Sequence, residues 1–255
     1  MSARQSSLWV AVVILVACGT ALCDVATPRP RWTSVRMKSE EVNITVGQDR
    51  VSVVATFQMQ NTGEQSLVRM GYPRGVFEKQ LNEFAVFVGD QPVKDVRTEA
   101  APAGPNRGMT DMAPPGKPGA AGPAAEPYRF EGPYKEWKVF DIQFNANETK
   151  AVRVTYWVEP AKLAGRQAGS LLHYSYTMLT GATWKGKIDQ AVVRVKLDGV
   201  SPDRIVRATP AGYSKTDGGK LLTWTLKDFK PADDIEITYR AAGAATVRAA
   251  SKPTQ

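Results

Sequence analysis

The strongest constraint on this chain is a period of two in its apolar residues. At 51–59 the odd positions Val51, Val53, Ala55, Phe57 and Met59 are apolar, while Ser52, Thr56 and Gln58 between them are polar. Successive side chains of a β-strand point to opposite faces, so this alternation describes a strand with one buried side. The pattern returns in Val152, Val154, Tyr156 and Val158, in Leu172, Tyr174, Tyr176 and Met178, and in Val193, Val195 and Leu197. Two further copies are Leu222, Trp224, Leu226 and Ile235, Ile237, Tyr239. Val42–Val46, Leu67–Tyr72, Phe84–Val88 and Trp137–Phe144 read as strands with less cleanly divided faces. Together they predict about ten strands.

Turn residues lie between them: Gly47-Gln48-Asp49, Asn61-Thr62-Gly63, Gly89-Asp90-Gln91-Pro92, Asn145-Ala146-Asn147, Asp198-Gly199 and Asp217-Gly218-Gly219. Glycine, asparagine and aspartate tolerate the positive φ that tight hairpins require. Spacers this short cannot carry a parallel crossover, so antiparallel pairing is expected. Helical signal is confined to Phe77, Leu81 and Phe84, spaced for one short helix, and to a turn or two within 159–168. The fold class expected is an all-β, antiparallel β-sandwich of about ten strands with one long disordered insertion.

That insertion is 101–127, where 19 of 27 residues are alanine, proline or glycine. Such a composition buries too little apolar surface to offset the entropy of ordering. The Ala-rich tail 241–255 reads as disordered for the same reason. Between them the sandwich spans 34–240, as one domain or as subdomains 34–160 and 170–240. Trp157, which interrupts the polar face of its strand, reads as a contact between the two halves.

The first residues address the chain. Arg4 precedes Leu8–Ala17, ten apolar residues in a row, which suits the core of a signal peptide and is too short to span a bilayer. Two cleavage patterns fit. Leu15-Val16-Ala17-Cys18 has the form of a bacterial lipobox, with Cys18 as the lipidated N-terminus. Ala21-Leu22-Cys23 before Asp24 meets the small-residue rule of ordinary signal peptidase, giving a signal peptide of 1–23. Either way the chain is expected outside the cytoplasm, periplasmic or secreted, touching a membrane only through an N-terminal lipid. The Pro-containing segment 24–33 then serves as a tether.

Both cysteines, Cys18 and Cys23, lie in this leader, so the folded part has neither disulfide nor thiolate metal site. Lysine and arginine number 33 against 25 acids, a net charge of +8 that favours anionic partners without selecting one. The cations are scattered and include no basic stripe with interleaved aromatics, which argues against nucleic acid.

Catalytic signals are weak. His173 is the only histidine, on the polar side of its strand, and no Gly-x-Ser-x-Gly elbow accompanies it. Glu40-Glu41 and Asp233-Asp234 pair acids, yet neighbours on a strand point apart, so both pairs read as solvated acids beside turns. No calcium loop, phosphate cradle or cofactor motif occurs, so no catalytic residue, metal ligand or cofactor is assigned. The most suggestive surface is Trp184-Lys185-Gly186-Lys187: Trp184, Lys185 and Lys187 would present a flat ring and charge to a sugar or headgroup. The competing reading folds Trp184 back to cap the sandwich edge, since large aromatics are mostly buried.

Several stretches together resemble an exported bacterial family known as domain-of-unknown-function family four-four-two-four. They are Ser39–Ile44 leading into the strand before Asn61-Thr62-Gly63, then Tyr176–Ile188 (YTMLTGATWKGKI), and Phe229–Tyr239 (FKPADDIEITY). The resemblance covers roughly 34–240 and implies export and a mainly β fold, with no activity or catalytic residue to carry over. The function expected is therefore an exported, non-enzymatic binding or structural module of the bacterial cell envelope. Its partner would be an envelope component such as an anionic polysaccharide, a lipid headgroup or a protein. The alternative is a hydrolase of envelope polymers whose acids are assembled by the fold.

Overall fold

The computed structural model describes residues 34–75, 78–100, 134, 136–163 and 171–242. Cys18, the tether, the insertion at 101–127 and most of the C-terminal tail lie outside these residues.

The strands, in chain order, are β1 (Val35–Val46), β2 (Val51–Asn61), β3 (Ser66–Arg74), β4 (Asn82–Val88) and β5 (Gln91–Pro92). Then come β6 (Arg97–Ala100), β7 (Glu136–Phe144), β8 (Thr149–Val158), β9 (Ala161–Lys162) and β10 (Leu171–Tyr176). The last are β11 (Ile188–Leu197), β12 (Ile205–Thr209), β13 (Ser214–Thr216), β14 (Leu221–Phe229) and β15 (Ile235–Arg240). All ten strands expected from alternation are present. The additional ones, β5, β6, β9, β12 and β13, have two to five residues each.

An eight-stranded sheet runs β13-β14-β11-β1-β2-β8-β4-β5. A four-stranded sheet, β12-β15-β10-β9, and a three-stranded one, β3-β7-β6, complete the fold. The inner face of the large sheet shares one apolar core with both smaller sheets, from Val42, Val53, Val154 and Val193 to Met70, Phe140, Tyr174 and Ile237. The large sheet draws strands from both 34–160 and 170–240.

One pair departs from the antiparallel expectation: β1 and β11 run parallel, from Ser39 opposite Gln190 to Val46 opposite Leu197. Short spacers constrain only consecutive strands, and these two are neighbours in space alone. The helix expected around Phe77, Leu81 and Phe84 does not form at Phe84, which lies in β4; Phe77 is outside the described residues. There Asn82–Val88 gains ladder hydrogen bonds against β8, which a short isolated helix could not match. Trp157 faces outward on β8 opposite Ser52 and Asn82, with the Arg50 guanidinium 4.6 Å from its ring. It covers the outside of the sheet and does not join two halves.

Polar contacts register the layers. The inner face of β10 and β15 presents Tyr174, Tyr176 and Tyr239, and each hydroxyl reaches a group carried by the large sheet or its turns. Tyr174 lies 3.2 Å from the Tyr156 hydroxyl, Tyr176 donates to Glu40 at 2.7 Å, and Tyr239 donates to the Gly47 carbonyl at 2.7 Å. Tyr72 of β3 donates to Tyr156 at 2.9 Å, so three tyrosines from three sheets share one chain of hydroxyls. Buried hydroxyls require partners, and directional partners hold sheets at one offset where apolar contact alone would let them slide.

Candidate functional site

Four sequence stretches singled out by resemblance meet at one end of the sandwich. Glu40 accepts from Tyr176, and Asp234 accepts from the backbone of Met178 and Leu179. Lys185 donates to Thr62 at 3.1 Å, and Thr62 in turn donates to the Ser34 carbonyl at 2.7 Å. The turn itself is built on Asn61, whose amide donates to the Glu64 and Asn145 carbonyls and whose Oδ1 accepts from Ser34 and from the Gly63 amide.

Glu40 is turned inward by a break in β1. The pairing of β1 with β2 slips between Met37 and Ser39, so Val35 and Met37 face the core on odd numbers, and Glu40, Val42 and Ile44 face it on even ones. A bulge inserts one unpaired residue and reverses the parity beyond it. Burial pushes the Glu40 carboxyl up to about 7, opposed by the Tyr176 hydrogen bond, and its Oε2 meets no partner among the described residues.

Asp234 stands just before β15 and reaches across to the 3₁₀ turn Leu179–Thr183. Its Oδ1 accepts from the amides of Met178 at 3.0 Å and Leu179 at 3.2 Å, two donors that open the turn and that no local side chain caps. Burial pushes this carboxyl up to about 7 as well; the two amides oppose the shift, and Glu236 and Asp233 add to it. The expectation that both acid pairs are solvated is therefore corrected. One member of each, Glu41 and Asp233, is exposed, while Glu40 and Asp234 are sealed inside. Alternation separates each pair correctly, but the bulge and the distant turn decide which member goes in.

The second finding is the outer face of β10 and β15. His173 lies opposite Thr238 and Ser175 opposite Glu236, with Thr177 and Asp234 following at the same end. Register places Thr209 of β12 beside Glu236 and Arg207 beside Thr238. Alternation puts these side chains away from the core, yet His173, Ser175, Thr177, Asp234 and Glu236 are all under 9% exposed. His173 Nδ1 is 3.1 Å from the Thr238 hydroxyl, and Thr209 donates to Glu236 at 3.4 Å. Burial lowers the histidine pKa, against the opposing pull of Glu236. The hydroxyls of Thr177 and Thr180 and Oδ2 of Asp234 have no partner among the described residues.

The residues proposed from sequence behave differently. Trp184 is 2% exposed and belongs to the main core, so its ring is not presented to a ligand; the reading in which it folds back is the observed one. Lys185 bonds Thr62, and Lys187 pairs with Asp228 at 2.8 Å, both at the surface. Among the described residues no cluster of three His, Cys, Asp or Glu side chains is placed to hold a metal ion, and no helix is long and apolar enough to cross a membrane. The residues that sequence reasoning missed are Ser175, Thr177, Thr180 and Glu236. Their signal was available: in register, the polar positions of 172–178 and 234–239 make one histidine, hydroxyl and carboxylate surface.

No family model and no curated protein matches the chain. Among solved structures it is similar to a proposed nutrient-binding protein from Legionella pneumophila, at 14% identity and a TM-score of 0.61, over 86% of this chain and 71% of that one. It is also similar to an M1 zinc metallopeptidase from Deinococcus radiodurans, at 13% identity and a TM-score of 0.38, over 81% of this chain and 42% of that one. The chain thus spans less than half of the metallopeptidase. The Legionella likeness establishes a shared β-sandwich fold.

Proposed function

We propose that this chain is an exported binding protein of the bacterial cell envelope, a member of the family its motifs resemble, and that it holds a small polar solute on the outer face of β10 and β15. The observation that carries this reading is the withdrawal from water of a histidine, two hydroxyls and two carboxylates on a sheet face that alternation assigns to solvent. Buried polar groups need hydrogen-bonding partners, and binding sites place a few convergent polar groups in a sheltered setting. The Legionella neighbour, described as a proposed nutrient-binding protein, supports the same class. The test is thermal unfolding of the full chain against millimolar free amino acids, simple sugars and polyols. A ligand of the folded state raises the melting temperature in proportion to the logarithm of its concentration. The expected result is a dose-dependent rise for one of these classes that disappears in Glu236→Gln and His173→Gln. A flat response to all three, or a rise that both variants keep, refutes the proposal.

A hydrolase is the second reading, favoured by one observation: His173, Ser175 and Glu236 share that face, with Ser175 directly opposite Glu236. A nucleophile needs its base within hydrogen-bond reach. Labelling of Ser175 by a fluorophosphonate, lost in Ser175→Ala, supports this reading over simple binding.

A further inference from the structure

The outer face of the eight-stranded sheet is open to solvent, with Val54 at its centre 39% exposed between Asn43 and Thr155. Two arginines are stacked on it. The Arg153 guanidinium carbon lies 4.1 Å from the centre of the Phe87 ring on the adjoining strand, and that of Arg50 lies 4.6 Å from the centre of the Trp157 ring. Arg153 has no carboxylate partner among the described residues, and the contact of Arg50 with Glu83 is a solvent-exposed one at 3.6 Å. Further along the same face Lys196 is exposed and also lacks an acid, while Arg194 is matched by Glu41 at 2.5 Å.

A ring beneath a guanidinium fixes its plane and lowers the entropy lost when its edge engages an oxyanion; the planar fork then matches a carboxylate bidentately. Arg153 and Trp157, four residues apart on β8, place the two stacked cations roughly 13 Å apart at the usual strand rise. From β11 to β4 the face extends roughly 19 Å at the usual strand spacing. One small anion cannot use both cations, whereas a polymer with repeated carboxylates can.

We infer that this face binds an acidic polysaccharide through its uronate carboxylates, with Arg50 and Arg153 as the two oriented contacts and Lys196 adding charge. The chemistry of this face is complementary to such a polymer: around Val54 its cations outnumber its acids, and hydroxyls of Thr45, Ser52 and Thr155 lie between them. A lipid surface would call for protruding apolar anchors, and among the described residues of this face Val54 alone is a large apolar side chain in the exposed class. Single-stranded nucleic acid would need bare aromatic faces, and both rings carry a guanidinium. The site lies on a different sheet from the polar face of β10 and β15, so either reading can fail alone.

The test measures binding of the full chain to polygalacturonate, to neutral dextran and to vesicles containing anionic phospholipid. Binding to polygalacturonate alone is expected, weakening by about tenfold or more in Arg50→Ala/Arg153→Ala and by a smaller factor in Arg153→Lys, which keeps the charge and loses the fork. Lys215→Ala/Lys220→Ala, the same loss of charge at the far edge of the sheet, is expected to bind within about twofold of the parent, because scattered charge acts without choosing a site. Circular dichroism confirms that each variant is folded. Equal losses in the two double variants, tighter binding to vesicles than to polymer, or no binding to polygalacturonate overturns the inference.

Discussion

The hydroxyl of Tyr176 donates to Oε1 of Glu40 at 2.7 Å, joining the four-stranded sheet to the eight-stranded one through a carboxyl that burial holds near neutrality. The contact passes through the core, where either group alone would be costly.

A pH dependence follows. The folded value of about 7 exceeds the 4.5 of a free glutamate, so between these values the folded chain keeps a proton that the unfolded chain has released. This group's contribution to stability is full below the lower value, falls as pH rises toward the upper one and is flat beyond it. Glu40→Gln removes the titration, and urea unfolding at about pH 5 and about pH 8 is expected to lose roughly 2–3 kcal/mol of that decline. An unchanged slope would show that Glu40 does not titrate in this range.

Asp234→Ala strips the acceptor from the Met178 and Leu179 amides and is expected to cost about 1–2 kcal/mol, as removal of a helix cap does. Asp234→Asn retains the Oδ1 acceptor and is expected to lose less. If chemical denaturation finds the two variants equal, the capping role is wrong.

A Cβ at Gly63 would sit 2.8 Å from Cβ of Ser34 and 3.1 Å from its hydroxyl. Gly63→Ala is therefore expected to destabilise by about 1–3 kcal/mol, the usual penalty of overpacking. Adding Ser34→Gly clears the clash. Recovery of most of the loss in the double variant is the outcome to look for, and additive losses would reject the steric explanation.

Trp184→Ala removes a buried ring and is expected to cost about 3–5 kcal/mol. Lys185→Ala and Lys187→Ala break surface contacts and are expected to stay within about 0.5 kcal/mol. A mild effect of the tryptophan variant on the melting curve would restore it as a candidate for surface recognition.

Alternation exposed the long strands because Val51 to Met59 or Val152 to Val158 must bury one side whatever surrounds them. β5 and β9, at two residues each, are too short to carry a period and exist only where a neighbour supplies the ladder. The inward turn of Glu40 depends on a slip in pairing between β1 and β2, invisible to a rule that counts along one strand. His173, Ser175 and Glu236 were readable as polar positions, but whether a polar face meets water is decided by what else the chain brings to it. Trp184 carried two readings from sequence because ring size favours burial while flanking lysines favour the surface; packing at the sandwich end decided between them.

The parallel seam between β1 and β11 also has a bearing on timing. A growing chain can form the β1–β2 hairpin early, yet the other edge of β1 stays unsatisfied until residues 47–187 have been made and Ile188–Leu197 follows. Closing so wide a loop is slow, and an open edge is prone to pair with the wrong strand. The eight-stranded sheet is therefore completed only once the last part of the polypeptide is available, and until then β1 carries a free edge of the kind that a chaperone gripping extended segments can cover.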